Sequence, residues 1–509
     1  MNFPPSTTPR ETLPMHFFDT RLIASLLLAT CLLPCISCAG AAEIVEDEQS
    51  QPAVAAAQDP AAASVEAKDR GSLWTRKVGQ DWPKFLGATG DSKSSEQGIL
   101  TKWPASGPKI LWSTKLGEGY GMCTVAAGRL YQFDRFGDEA SVYCLEAETG
   151  KPIWKYSYPT DYLDLYGYNN GPRCSPIVDG DRVYAFGVDG MLLCLDAIDG
   201  TLKWKLNTNE KFGVVQNFFG VGSCPVIHGN LLIAMIGGSP EDSKLAAPGQ
   251  LDRVVGNGSG IVAFDKLTGE VKYKITDELA SYASLQLAKI DGRDWCFAFC
   301  RSGLVGFEPT QGKVDFEFPW RATILESVNA SSPVVVGNQV LISECYGPGS
   351  AMLSVKPGGF EVAWQDNART RQKSLQTHWN TPVVHEGFAY ACSGRHSENA
   401  ELRCIDWKTG KVQWSERGLD RSSLLYVDGH FVYLGEYGDL KLIKANPAKF
   451  DVVSECRLEV QLDPQDTAST RPLLNYPCWA APILSHGLLY VRGDDQLICL
   501  ELIPEAAAK

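Results

Sequence analysis

Along this chain apolar residues alternate with polar ones, or run in short groups between Gly, Pro, Asn and Asp, and do not recur at helical spacing. The pattern predicts short β-strands joined by tight turns. One phrase recurs four times. It reads Leu145-Glu146-Ala147-Glu148-Thr149-Gly150 before Trp154, and Leu195-Asp196-Ala197-Ile198-Asp199-Gly200 before Trp204. It returns as Phe264-Asp265-Lys266-Leu267-Thr268-Gly269 before Tyr273, and as Ile405-Asp406-Trp407-Lys408-Thr409-Gly410 before Trp414. Each unit is an apolar strand, an acidic turn closed by Gly, and a strand with an aromatic four residues later. Gly suits the positive φ of such a hairpin.

A second mark precedes each turn: Pro, then β-branched residues, then Gly. It occurs at Pro176, Pro333, Pro382 and Pro482. Pro176 to Pro225 and Pro333 to Pro382 are each 49 residues, Gly150 to Gly200 is 50, and Pro382 to Pro482 is 100, the length of two repeats. A period near 50 with several strands per period predicts a propeller or β-array whose phase holds along the chain.

The outer-strand aromatics are Trp112, Trp154, Trp204, Tyr273, Phe316, Trp364 and Trp414, with a degenerate unit near Val452. The C-terminal unit, Ala481 to Ile503, stops one strand short, and Ile110-Leu111-Trp112-Ser113 supplies the missing strand. The fold expected is all-β: an eight-bladed propeller of four-stranded blades, closed by an N-terminal strand that removes the open edges; seven blades is the nearest competitor. Trp112, Trp154, Trp204, Tyr273, Trp364 and Trp414 are expected to dock neighbouring blades. The propeller is assigned to residues 109–503, with a tail at 504–509.

The N-terminal region reads differently. An apolar run from Leu22 to Leu33 follows Arg21, and small residues follow at Ala39 to Ala42, so residues 1–42 are expected to be a secretory signal, too short for a membrane span. Met15 offers an alternative start. Cys31, Cys35 and Cys38 raise lipid anchoring, but none sits in a clean lipobox. Residues 43–80 read as a flexible linker poor in large apolar residues, and 81–108 as a lead-in segment. The exported chain is expected in the periplasm or cell envelope, with no transmembrane helix in its mature form.

A formal charge of -13 leaves no basic stripe and argues against nucleic acid as a partner. Of 16 Cys, Cys144, Cys194, Cys404 and Cys499 take one position in four repeats, too far apart around a ring to bridge. Buried free thiols are expected, with room for one or two disulfides. The seven His show no metal spacing. Gly256-Asn257-Gly258-Ser259-Gly260 resembles a phosphate loop but no helix follows it. The insertion from Gly237 to Gly256 is expected to stand off one face as a free loop.

These repeats resemble the PQQ-type repeat propellers, eight-bladed rings that join the quinoprotein alcohol dehydrogenases with non-catalytic relatives such as the outer-membrane assembly factor BamB. The resemblance is carried by Ala147 to Trp154, Ala197 to Trp204 and Thr409 to Trp414. It extends to Asp81-Trp82-Pro83-Lys84-Phe85-Leu86-Gly87, similar to a W-P-x-F-R-G lead-in with Leu86 where Arg is usual. The catalytic branch implies pyrroloquinoline quinone (PQQ), calcium, an acidic base, a stacking Trp and commonly adjacent Cys. No Cys-Cys pair or C-x-x-C-H occurs in this chain, and the loops before the inner strands offer only Glu118, Asp164 and Glu326.

Those loops carry polar and aromatic residues instead, and in a propeller they converge around the axis. Tyr168, Asn169, Arg173, Asn329, His378, Trp379, Asn380, Arg421 and Trp479 are the candidate channel-mouth binding residues. Arg173, His378 and Arg421 are expected to add little to stability; satisfied polar contacts plugging the channel are the bland alternative. No catalytic residue and no metal ligand is assigned. The resemblance implies a BamB-like scaffold for a protein or peptide partner, without cofactor. The alternatives are a PQQ- and calcium-dependent alcohol or polyol dehydrogenase, or a sensor of a small ligand at the central channel.

Overall fold

The computed structural model describes residues 71–463 and 466–505. The expected signal, the cysteines considered for lipid anchoring and most of the expected linker lie outside them. Eight four-stranded antiparallel sheets form among the described residues. Blade 1 holds Thr124–Ala126, Arg129–Phe136, Glu139–Glu146 and Pro152–Pro159, and the inner strands of blades 2 to 7 begin at Ile177, Val226, Gln286, Val334, Val383 and Ser422. Blade 8 holds Ile483–Ser485, Leu488–Arg492 and Gln496–Glu501, and Lys109–Lys115 is its outermost strand, with Trp112 opposite Cys499. The ring is closed by its N-terminal strand. Among the described residues the one α-helix is Thr208–Phe212.

The repeat grammar is explained by how one blade meets the next. Tyr131, Cys144 and Trp154 lie opposite one another on successive strands of blade 1. Tyr184, Cys194 and Trp204 do so in blade 2, and Tyr490, Cys499 and Trp112 in blade 8. The small thiol leaves room for two large rings to lean toward the next blade. There Trp154 Nε1 donates to Ala197 O at 3.2 Å and the Tyr131 hydroxyl donates to the same carbonyl at 3.0 Å. Trp204 and Tyr184 share Lys266 O, and Trp112 and Tyr490 share Ala147 O.

Trp364 donates to Trp407 O, Trp414 to Asn446 O and the Tyr273 hydroxyl to Pro309 O. The turn Gly is required twice over. Gly200 has φ of 74°, and a Cβ there would lie 2.5 Å from the Trp154 ring. Phe316, with no N–H to offer, packs on Phe360 at 5.0 Å between ring centres. All thirteen described cysteines are free, and twelve are buried.

The lead-in segment is a strap across the axis. Trp82 bridges to Val125 of blade 1 and Pro83 O accepts from Val178 N of blade 2. Gly90 lies beside Gln286 of blade 4. Ser92 and Ser94 then bond Leu424 and Tyr426 of blade 7. The Glu96 carboxylate accepts from the backbone of His486 and Gly487 in blade 8. A chain segment that touches the inner strands of blades 1, 2, 4 and 7 closes the channel from one side.

Three expectations are corrected. The linker assigned to residue 80 ends earlier, because Trp74 stacks on His486 at 4.1 Å and Arg76 pairs with Glu501 at 2.5 Å. The Gly237–Gly256 insertion does not stand free. Its Leu251 and Val254 are buried with Phe218, and Asp252 pairs with Arg301 at 2.7 Å. Only its outer part, with Leu245, is fully exposed. The even phase between Pro382 and Pro482 averages a short repeat and a long one, since the blade 7 inner strand starts at Ser422. The long one carries an extra two-stranded hairpin, Glu459–Asp463 with Asp466–Pro472.

Candidate functional site

Above the strap lies a cavity of about 660 Å³. Each of the eight blades contributes to its wall through the loop before its inner strand. In blade order these are Tyr120, Tyr168, Phe219, Tyr282, Glu326, His378, Arg421 and Trp479. Phe85 and Leu86 of the strap also line it. Leu86 is buried with φ of 60°, so the strap offers an apolar side chain to the cavity.

One side of the cavity is an aromatic stack built on a buried ion pair. The Glu436 carboxylate accepts from Arg421 Nε at 2.9 Å and Nη2 at 2.6 Å, from Trp479 Nε1 at 3.1 Å and from the Ser397 hydroxyl at 2.6 Å. Burial alone would raise this carboxyl; the bonds from Arg421, Ser397 and Trp479 outweigh it and hold it below its ordinary value. The Arg421 guanidinium lies 4.5 Å from the Trp379 ring centre, and Trp379 lies 4.9 Å from Trp479. Tyr120 and Tyr476 extend the stack, at 4.8 and 5.9 Å from Trp479.

His378 sits between these groups and Tyr346, whose hydroxyl is 3.3 Å from its Nε2. Burial first, then the charges of Arg421 and Arg395, push His378 down to about 3, so it is neutral. Across the cavity, Tyr166 packs on Phe219 at 5.7 Å and Phe219 on Tyr282 at 5.4 Å. Tyr166, Tyr168 and Tyr476 are 49%, 65% and 46% exposed and form the rim.

The structure places Tyr168, Arg173, His378, Trp379, Asn380, Arg421 and Trp479 on the cavity wall, and Asn169 and Asn329 elsewhere. Asn169 Oδ1 accepts from Gly171 N, closing its own turn. The buried Asn329 amide donates to Cys300 O and Trp320 O. The Asn380 amide likewise donates to Cys392 O. The expectation that Arg173 and Arg421 add little to stability is corrected: Arg173 pairs with the fully buried Asp164 at 2.7 Å, as Arg421 does with Glu436.

Sequence reading missed Glu436, Tyr346 and Arg395. They lie between the second and third strands of their blades, and in an up-and-down blade these connections open on the same face as the loops before the inner strands. Counting both sets would have found them.

The donor set does not fit calcium. That ion takes six to eight oxygen ligands, whereas Glu326 is the one carboxylate on the wall. Among the described residues no three His, Cys, Asp or Glu gather into a metal-ligating group.

Fold and repeat define an eight-bladed PQQ-type repeat propeller. The sequence pattern of the family described as outer membrane protein assembly factor BamB matches residues 62–247 and 243–416, and the chain belongs to that family. No curated protein sequence matches. Among solved structures, BamB from Moraxella catarrhalis is similar at a TM-score of 0.51 and 13% identity, over 79% of this chain and 99% of that one. The quinohemoprotein alcohol dehydrogenase from Comamonas testosteroni matches at 0.47 and 14%, over 84% and 81%. At such identities the likeness shows the fold alone.

Proposed function

We propose that this chain is an exported binding propeller of the periplasm or cell envelope, a non-enzymatic scaffold that captures a protein or peptide partner at its axial cavity. The observation that carries this reading is the wall itself, in which all eight blades present side chains to one cavity with an exposed tyrosine rim. Tyr and Trp supply large contact areas at low conformational cost, which suits a recognition surface. Few groups of the kind a quinone site uses are offered: Glu436 is saturated by Arg421, Trp479 and Ser397, and Glu326 is left as the one carboxylate on the wall. Family membership points the same way, through the assembly factor whose name the family carries.

Photo-crosslinking tests this directly. Benzoylphenylalanine placed at Tyr168 or Tyr476 should form a protein adduct in cells that make the chain, while the same group at Val362, exposed on an outer strand, should not. Equal adducts from Val362, or none from the rim, would remove the scaffold reading.

A further inference from the structure

The arginines on the cavity wall are not equivalent. Arg173 and Arg421 are each matched by a buried carboxylate, Asp164 and Glu436. Arg395, partly buried between the second and third strands of blade 6, has no ion pair or hydrogen bond to its guanidinium among the described residues. It rests on the Tyr346 ring, 4.3 Å from its centre. The neighbouring Glu344 does not pair with it, because that carboxylate is turned to the Ser327 hydroxyl and Gly347 N. The buried Trp379 Nε1–H, on the same wall and in the same blade, likewise has no acceptor. Trp379 adjoins His378, which is held neutral in part by the charge of Arg395.

A guanidinium without a protein acceptor, on a wall that also carries the stacked rings of Trp379 and Trp479, asks for one anionic acceptor attached to a flat apolar body. Arg matches a carboxylate with two parallel hydrogen bonds. A phosphate dianion would draw on a second free cation, and the other two wall arginines are already neutralised. We propose that the cavity recognises a carboxylate borne on an aromatic or flat apolar group, with Arg395 binding the carboxylate and Trp379 and Trp479 packing the body. In the partner this is an acidic residue next to an aromatic one in an extended peptide. The inference deepens the scaffold reading and rests on it for the peptide source. A free aromatic acid would present the same chemistry.

The test pans wild-type protein and Arg395→Gln against a random heptapeptide phage library, and titrates both by calorimetry with phenylacetate and phenylacetamide. Arg395 gives up no ion pair or hydrogen bond of its guanidinium, only its contact with the Tyr346 ring, so closely similar melting temperatures of the two proteins serve as the folding control. The expected result is a wild-type pool enriched several-fold over the variant pool in Asp or Glu beside an aromatic. Aromatic enrichment alone should persist in Arg395→Gln. If no peptide is enriched but phenylacetate binds better than phenylacetamide, and only to wild type, the carboxylate inference stands and the scaffold reading falls. Peptides selected without an acidic residue, or with one that survives Arg395→Gln, overturn the inference and leave the scaffold reading intact. Binding of neither probe class overturns the inference, and crosslinking from the rim then judges the scaffold alone.

Discussion

Arg421 grips Glu436 through two nitrogens, Nε on one carboxylate oxygen at 2.9 Å and Nη2 on the other at 2.6 Å. Glu436 is fully buried and Arg421 nearly so. The pair holds up the stack of Trp379 and Trp479 rather than waiting for a ligand.

Removing one partner should therefore be costly. Arg421→Met leaves a buried carboxylate unmatched and should lower stability by about 3 to 5 kcal/mol. The double variant Arg421→Met with Glu436→Leu should recover much of that loss, because no charge is then stranded. Urea denaturation of both decides the matter, and an unchanged urea midpoint in Arg421→Met would show the pair to be dispensable.

His378 gives the cavity a pH dependence of defined sign. Its folded value, about 3, lies below the ordinary value near 6.5, so the unfolded chain binds the proton more readily. The contribution is complete above pH about 6.5 and is lost as pH falls toward the folded value. Glu436, depressed by its hydrogen bonds, loses its contribution in the same direction but only once pH falls below the ordinary carboxylate range. Buried Glu344, its carboxyl pushed up to about 7 by desolvation, works in the opposite direction over this range, so the readable quantity is the difference: between pH 7.5 and 5 His378→Gln should lose less stability than the wild-type protein. Equal losses would show that His378 does not titrate on unfolding.

The fold was legible wherever chemistry repeats. Period-two alternation places Cys144 opposite Trp154, and the turn Gly marks where the previous blade's indole must lie, so blade, strand and closure could be read from spacing. The site was legible only in part. His378, Trp379 and Trp479 could be placed by their distance from the inner-strand signal, whereas Arg395 and Glu436 lie between second and third strands, connections that share the cavity's face but carry no Pro mark of their own. The strap's course depends on pairings of Trp82 with Val125 and Ser94 with Tyr426. No local pattern encodes contacts that distant in the chain. The hairpin at Glu459–Pro472 was hidden by the short repeat preceding it.

Blade docking separates hydrogen bonding from packing. Trp154→Phe removes the bond to Ala197 O and keeps most of the ring, so it should cost about 1 kcal/mol. Trp154→Ala should cost about 3 to 5 kcal/mol. Gly200→Ala forces a methyl group against that ring at a positive φ and should cost about 1 to 3 kcal/mol. Because ring and glycine touch, Gly200→Ala should cost much less in the Trp154→Ala background. Additive losses in that double-variant cycle would place the strain elsewhere.

Strap and closing strand can be told apart by where the chain is made to start. A chain starting at Gly71 keeps every described contact and should melt as the full chain does. Starting at Lys109 removes Trp82, Leu86 and Ile99 from the core and the strap from the cavity. Loss of one such buried Trp costs about 3 to 5 kcal/mol. The melting temperature should therefore fall by on the order of 10 °C, without aggregation, because blade 8 retains its outer strand. Starting at Lys115 also removes Trp112 and its bond to Ala147 O, and leaves the Gln496–Glu501 strand as an open edge. That chain should aggregate. Equal melting of the Gly71 and Lys109 chains would show that the strap is not packed, and a stable Lys115 chain that does not aggregate would overturn closure by the N-terminal strand.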